Sequence, residues 1–152
     1  MTLKQFEGSQ ALDEFRARKR ATANLAFATQ LCVKQAEGTE FACANRLYYA
    51  VFQQAVFACY RQLGFEKART EIADTNGQMG DSPFYRQARV PKVLAGCRVI
   101  SRSDRDDFAS IKDLRVKADY SNFDVEWDEI EEHLALANSI YDMLNKKFGE
   151  TK

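Results

Sequence analysis

Apolar residues in the last third of the chain recur every three or four positions, and this spacing constrains the fold more than any other feature. It is unbroken at Trp127, Ile130, Leu134, Ala137, Tyr141, Leu144 and Phe148. Such spacing places one apolar stripe along a helix. Strand-like alternation is nearly absent from the sequence. We therefore predict an all-α protein.

The length of 152 residues predicts one domain, 1–152. Its core is expected to extend from about 10 to 148. Only 2 prolines and 7 glycines occur, and the glycines fall largely between the periodic segments. The predicted fold is an antiparallel up-and-down bundle of about five helices. Four long helices are expected at about 10–35, 41–63, 103–120 and 124–148. Two short helical pieces, separated near Pro91, are expected between 82 and 97. Residues 65–81 are the predicted long loop.

The segment 41–63 is predicted to be the central helix. Tyr48, Val51 and Phe52 follow one helical stripe, while Leu47 and Phe57 cover other sides. A helix with apolar residues on most of its circumference needs neighbours in most directions. The link to the preceding helix is short, so the first two helices are expected to form an antiparallel hairpin.

Local signals predict where several helices begin and end. Gly38 is expected to stop the first helix, and Thr39 to cap the second. The segment 103–106, Ser-Asp-Arg-Asp, resembles a capping box with aspartate in place of glutamate. Asp124 is expected to cap the last helix. Ser82-Pro83 has the form of an N-cap followed by proline at the first helical position.

Charge and hydropathy exclude several classes of protein. Lysine plus arginine number 22, as do aspartate plus glutamate, so any site for a polyanion must be local. The chain shows no apolar core of signal-peptide type and no apolar run of membrane-span length, which predicts a cytoplasmic protein without a membrane partner. Four cysteines lack C-x-x-C spacing and are expected to be reduced thiols, mostly buried. They are Cys32, Cys43, Cys59 and Cys97.

Two segments concentrate charge of one sign. The basic cluster comprises Arg86, Arg89, Lys92, Arg98, Arg102 and Arg105. The acidic cluster comprises Asp124, Glu126, Asp128, Glu129, Glu131 and Glu132. Acids suit the first turns of a helix and need no further explanation. The basic cluster is either a surface for phosphate groups or a solvated edge.

Arg115 occupies an inward position of its predicted helix, because steps of three and four residues connect it with Ile111 and Ala118. Asp119 follows at i+4, where its carboxylate can orient the guanidinium. Two interpretations remain open at this stage. The pair is either a structural bridge at the bundle edge or part of a ligand site.

A second polar stripe lies on the predicted central helix. Arg46 and Gln53 are seven residues apart and share one face, with Tyr49 beside them. Polar groups that are buried must find partners. The stripe therefore meets the face of Arg115 and Asp119, lines a cavity, or reaches solvent.

The sequence lacks the parts of several common active sites. His133 is the only histidine, and no serine or cysteine stands in a recognisable nucleophile motif. A glycine-rich phosphate loop, paired carboxylates and a spaced set of metal ligands are also missing. We predict no cofactor and no metal site.

The segments 46–52 (RLYYAVF) and 114–120 (LRVKADY) resemble the HEPN domain family, and the resemblance extends over about residues 10 to 148. The resemblance implies a bundle of about five helices that forms a homodimer. It also implies a place in a toxin-antitoxin or defence-type system, often beside a nucleotidyltransferase partner. Arg115 matches the arginine that ribonuclease members of the family use in their shared cleft.

The chain departs from the ribonuclease pattern at the histidine that follows this arginine. Tyr120, Ser121 and Asn122 occupy the corresponding positions, and Gln53 stands where similar relatives carry another histidine. None of these side chains provides an imidazole that exchanges protons near neutral pH. The resemblance therefore implies a cleft that binds without efficient cutting.

These observations predict an RNA- or nucleotide-binding module. Its site residues are expected to be Arg115, Asp119, Tyr120, Arg46, Tyr49 and Gln53. One alternative is a metal-independent ribonuclease toxin that uses residues other than histidine. The other is a non-catalytic interaction subunit paired with a nucleotidyltransferase.

Overall fold

A computed structural model shows six α-helices within the part of the chain that it describes, residues 3–73, 85–120 and 124–149, with side chains for 14–73, 85–119 and 124–149. The helices are α1 Leu3–Lys34, α2 Glu40–Leu63, α3 Phe65–Ile72, α4 Arg89–Gly96, α5 Arg102–Tyr120 and α6 Trp127–Phe148. The only β-type pairing in these residues is an isolated bridge between Ala73 and Tyr85. The all-α prediction is confirmed.

α2 is the centre of the bundle, as its apolar pattern predicts. It packs against each of the other five helices. Leu47, Val51 and Ala58 lie on different sides of α2, and all are completely buried. Burying a side chain of the size of Leu47 or Val51 contributes roughly 1.5–3 kcal/mol, so α2 carries much of the stabilisation of the fold.

α5 and α6 run antiparallel to each other, and both pack against α2. Near the end of α5, Lys117 pairs with Glu129 near the start of α6, with 3.1 Å between Nζ and Oε1. Near the end of α6, Lys147 donates to the backbone carbonyl of Val99, just before α5, at 3.1 Å. The predicted apolar stripes of both helices face the core, where Ile111 of α5 and Ile130 of α6 are completely buried.

α3 occupies residues predicted to be a loop, so that prediction is wrong for 65–72. Gly64 ends α2 as expected, and its φ of 86° lets the chain turn so that α3 begins at the next residue. Phe65, Ala68 and Ile72 then bury one face of this short helix. Residues 74–81 of the predicted loop lie outside the described residues.

Pro91 does not interrupt a helix, contrary to the prediction. It lies in the first turn of α4, where the backbone N–H groups have no partner within the helix, and proline is tolerated there. The short piece expected near the end of this segment is therefore part of α4. The predicted helix start at Ser82-Pro83 lies outside the described residues.

The first two helix ends differ from the prediction. α1 begins at Leu3 rather than near residue 10, and it ends at Lys34, before Gly38. Thr39 makes no side-chain cap on α2, because its hydroxyl donates to the carbonyl of Ala36 at 2.6 Å. Glu40 instead accepts the N–H of Gly38 at 2.9 Å.

The capping box of α5 lies two residues before the predicted one. The Ser101 N–H donates to the Asp104 carboxylate, and the Asp104 N–H donates to the Ser101 hydroxyl, each at 3.0 Å. The sequence Ser-x-x-Asp occurs twice in overlap here, and buried Ile100 anchors the chain directly before the first copy.

The start of α6 also differs from the prediction. The N-cap is Glu126 rather than Asp124, and it makes no side-chain cap hydrogen bond. Buried Val125 holds the chain against the core just before this cap. The end of α6 at Phe148, followed by Gly149, agrees with the prediction.

A spanning segment would need a helix that is both long and strongly apolar. Among the helices that the structure describes, none meets both requirements.

Two buried thiols should make the fold less stable in alkali. Burial, with a smaller contribution from Cys32, raises the pKa of Cys43 from 9.0 to about 12. Burial, with a smaller contribution from Cys97, raises the pKa of Cys59 from 9.0 to about 12. The unfolded chain therefore loses these protons first as the pH rises. We expect the free energy of unfolding to decrease from pH 9 towards pH 12, measured by urea denaturation.

The matched control is the double variant Cys43→Ala, Cys59→Ala, compared with wild type at each pH. Alanine lowers stability at every pH by removing packing, but it should make the decrease above pH 9 shallower. An equally steep decrease in the variant would show that other groups are responsible.

Candidate functional site

Arg115 lies at the contact between α5 and α2, with 16% of its side chain exposed. Its guanidinium carbon is 5.5 Å from the ring centroid of Tyr49 and 5.7 Å from that of Tyr48. Both distances are within the range of a cation–π interaction. The charge is therefore placed against two aromatic rings at the inward position that the spacing predicts.

Asp119 fixes this guanidinium from one turn further along α5. The Arg115 Nε atom is 3.0 Å from Asp119 Oδ2, and the Asp119 side chain is 23% exposed. Both partners are thus shielded from most of the solvent, which strengthens an ion pair. Tyr120 ends α5, but its side chain lies outside the described residues, so its predicted role stays a prediction.

Tyr48 supports the site from the core. It is completely buried, and its hydroxyl donates to Gln87 Oε1 at 2.9 Å. Burial raises the pKa of Tyr48 above its ordinary value, Tyr49 adds to the increase, and Arg115 opposes it. Tyr48 therefore acts as a neutral hydrogen-bond donor and cannot serve as a base near neutral pH.

Tyr49 is the half-buried aromatic residue of the site. Its ring centroid is 5.0 Å from that of Tyr48 in an edge-on arrangement and 6.2 Å from that of Phe52. Packing on two aromatic neighbours holds the ring beneath Arg115. A partly exposed ring held in this way can accept a stacking group.

Arg46 does not contact Arg115. Its Nη1 atom donates to Asn24 Oδ1 of α1 at 3.1 Å, and its guanidinium carbon is 5.3 Å from the ring centroid of Phe27. The polar stripe was expected to meet the face of Arg115, line a cavity or reach solvent. Arg46 reaches solvent, at the edge between α1 and α2. The expected meeting of the two arginines does not occur within one chain.

Gln53 is half-buried, and the next residue, Gln54, is the buried glutamine. Gln54 Nε2 donates to the backbone carbonyl of Tyr141 at 3.2 Å. Its Oε1 atom is buried and has no hydrogen-bond partner among the described residues. Sequence reasoning missed this residue, although its position seven residues after buried Leu47 is a signal that places it on the core side.

Together these residues form a polar strip along the least buried side of α2, between α1 and α5. We define the polar strip as Arg46, Tyr49, Gln53, Arg115 and Asp119. The α2 members are three or four residues apart and therefore adjacent. Arg46 borders the strip on the α1 side and Arg115 on the α5 side. Two cations thus flank one aromatic ring.

His133 lies away from the polar strip. Its Nδ1–H donates to the backbone carbonyl of Glu129 at 2.8 Å, and its Nε2 atom forms a hydrogen bond with the Ser110 hydroxyl at 3.0 Å. Ser110 is five residues before Arg115 on α5, which places the two about 140° apart around the helix. The only imidazole of the chain therefore joins α5 to α6 on another side.

The charged clusters also have defined surroundings. Arg89 forms an ion pair with Glu71 and joins α4 to α3. The other members of the basic cluster are exposed. In the acidic cluster, Glu131 accepts from Gln35 Nε2 at 2.9 Å. The acidic start of α6 thus lies beside the end of α1.

The cysteines do not form a disulfide in the described part of the chain. Cys32, Cys43 and Cys59 are buried and Cys97 is partly exposed. Within 14–73, 85–119 and 124–149, no three side chains of the metal-binding types converge on one point.

No family model matches this chain, and a comparison with curated proteins gives no match either. The HEPN resemblance therefore depends on the motifs 46–52 and 114–120.

Two neighbouring tyrosines provide a matched test of the site's packing. Tyr48→Phe removes the buried hydroxyl and leaves Gln87 Oε1 without this donor, so we expect a loss of about 1 kcal/mol in the free energy of unfolding. Tyr49→Phe makes the same chemical change at the half-buried position, and a change within about 0.5 kcal/mol is expected. Urea denaturation measures both. Equal losses would contradict the assignment of Tyr48 as the supporting donor.

Proposed function

We propose that this chain is a HEPN-like RNA- or nucleotide-binding module without efficient ribonuclease activity, in a cytoplasmic toxin-antitoxin or defence-type system. The observation that carries the proposal is the Arg115 guanidinium, held by Asp119 above the half-buried ring of Tyr49. A cation next to an aromatic ring offers one contact for a phosphate and one for a base.

Arg115 is suited to bind a phosphate group. A guanidinium presents five N–H donors in a fixed plane, and this geometry matches that of a phosphate group. Asp119 keeps that plane in one orientation, which lowers the entropy lost on binding. Tyr49 is positioned to stack on a base, a contact worth about 1–3 kcal/mol that tolerates any sequence.

The arrangement also explains why efficient cleavage is not expected. RNA cleavage without metal needs a group that takes and gives a proton near neutral pH. His133 is bound to Ser110 and Glu129 away from the polar strip, and the pKa of Tyr48 is raised further from neutrality by burial. The strip can therefore bind and orient an RNA more readily than it can cut one.

A second copy of the chain is the partner that best fits the polar strip. Exposed apolar side chains border it, namely Phe27 at 48% and Val116 at 39%. A two-fold interface would cover both and would place a second Arg115 near the first. Such a dimer would restore the shared cleft that one chain lacks. A nucleotidyltransferase partner would then approach from outside this interface.

The binding prediction compares two arginines with similar surroundings. Arg115→Gln should weaken binding of a labelled single-stranded RNA by about tenfold or more, because it removes a charge-assisted phosphate contact. Arg61→Gln is the control, since Arg61 also pairs with a carboxylate, Glu14, and lies over an aromatic ring, Phe57. Fluorescence anisotropy at several salt concentrations measures both.

Equal affinities for the wild type and Arg115→Gln would rule out the proposed site. RNA fragments that appear with the wild type and disappear with Arg115→Gln would instead favour the ribonuclease alternative.

The dimer prediction uses two exposed valines. The wild type should have twice the mass of the 17.4 kDa chain in sedimentation or light scattering. Val116→Glu introduces a charge beside the polar strip and should yield single chains. Val33→Glu makes the same change on the outer side of α1, where valine is 80% exposed, and should leave the dimer intact. A wild type of single-chain mass, or equal effects of the two variants, would contradict this interface.

A further inference from the structure

Arg98 follows α4 in a left-handed backbone conformation, with a φ of 61°. The turn is a Schellman motif, since the Val99 N–H donates to the Leu94 carbonyl at 2.9 Å. Within it, the Arg98 N–H donates to the Ala95 carbonyl at 3.0 Å. Glycine is the usual residue at this position, because a Cβ atom strains the left-handed conformation. The chain therefore has an arginine where glycine would relieve strain, which directs attention to what this side chain does.

Arg98 lines a groove of about 410 Å³ where the end of α4, the start of α5 and the end of α6 meet. Its apolar lining includes Ile100 and Met143. Sites for small molecules commonly have volumes of about 300–1,000 Å³ and combine apolar walls with a few polar groups. The groove therefore has the size and the mixed lining that a small ligand needs.

Three charged side chains line the groove, namely Arg98, Lys147 and Asp104. The Lys147 ammonium is held by its hydrogen bond to the Val99 carbonyl at 3.1 Å. The Asp104 carboxylate accepts the N–H of Ser101 at 3.0 Å. Neither cation forms an ion pair within the described part of the chain. The lining thus carries a net positive charge that a ligand with a single negative charge would balance.

We propose that this groove binds a small organic acid. Its carboxylate would contact Arg98 and Lys147, and its apolar body would lie against Ile100 and Met143. A carboxylate fits better than a phosphate monoester, because it carries a single negative charge and can accept two parallel hydrogen bonds from a guanidinium. The strained turn at Arg98 would then be retained for binding rather than for stability.

This site is separate from the polar strip. The first residue of α5, Arg102, is 13 residues before Arg115, which is about 20 Å along a helix. The inference therefore goes beyond the proposed function and does not depend on RNA binding.

The experiment uses hexanoate as the probe. Hexanamide, a neutral analogue with the same apolar chain, tests the charge, and acetate tests the apolar body. Titration of the full chain is followed by NMR at the backbone amides of Val99 and Ser101. Hexanoate should bind about tenfold more tightly than either comparison compound. Its affinity should decrease with salt, because Arg98 and Lys147 are exposed to solvent.

Arg98→Gly distinguishes binding from stability. It should weaken hexanoate binding about tenfold while raising the melting temperature by roughly 2–4 °C, because glycine adopts the left-handed conformation without strain. Arg98→Asn should lose the same affinity, since asparagine also tolerates this conformation. The matched control is Arg102→Gln, which removes the same charge at an exposed position outside the groove lining. Its affinity for hexanoate should stay within about twofold of the wild type.

Equal affinities for hexanoate and hexanamide would overturn the proposal, as would unchanged hexanoate binding in Arg98→Gly. An equal loss in Arg102→Gln would also overturn it, because net charge rather than the groove would then explain the binding. A lower melting temperature in Arg98→Gly would show that arginine stabilises the turn and would count against a ligand. None of these results bears on RNA binding, which Arg115→Gln tests separately.

Discussion

The structure depends on the nearly complete burial of α2. A helix enclosed by five others has little surface left for polar groups, so each polar side chain on it must find a partner or lie at the remaining edge. Tyr48 finds Gln87, and Gln54 finds the carbonyl of Tyr141. The edge between α1 and α5 accommodates the others. The position of the polar strip is thus a consequence of how the core is packed.

The helices were predictable where apolar spacing alone decides the structure. The stripes of α2, α5 and α6 are long and regular, and Arg115 with Asp119 follows from the geometry of a single helix. α3 escaped prediction because its pattern is only eight residues long and stands between Gly64 and a glycine-containing segment. The α5 cap was placed wrongly because Ser101 and Ser103 both begin a Ser-x-x-Asp motif, and only the packing of Ile100 distinguishes them.

Contacts between helices were harder to predict than contacts within one helix. The spacing of Arg46 fixes its side of α2 but not the neighbour on that side, which is Asn24 of α1. The same limit applies to His133, whose partner Ser110 is 23 residues away in sequence. Gln54 was not singled out, although it lies about 100° around α2 from Gln53, on the side that α6 covers. These assignments require the packing angles between helices, which a periodic pattern does not contain.

The buried amide of Gln54 has a consequence for the alignment of the bundle. Apolar side chains tolerate a small slide of one helix along another, because their contacts have no direction. The hydrogen bond from Gln54 to the Tyr141 carbonyl is directional, and a shift of α6 by one residue would turn that carbonyl away. The amide thus selects one register of α6 against α2 at the cost of an unsatisfied oxygen. A single polar atom pair in the core can in this way specify a unique arrangement of helices that hydrophobic packing alone would leave degenerate.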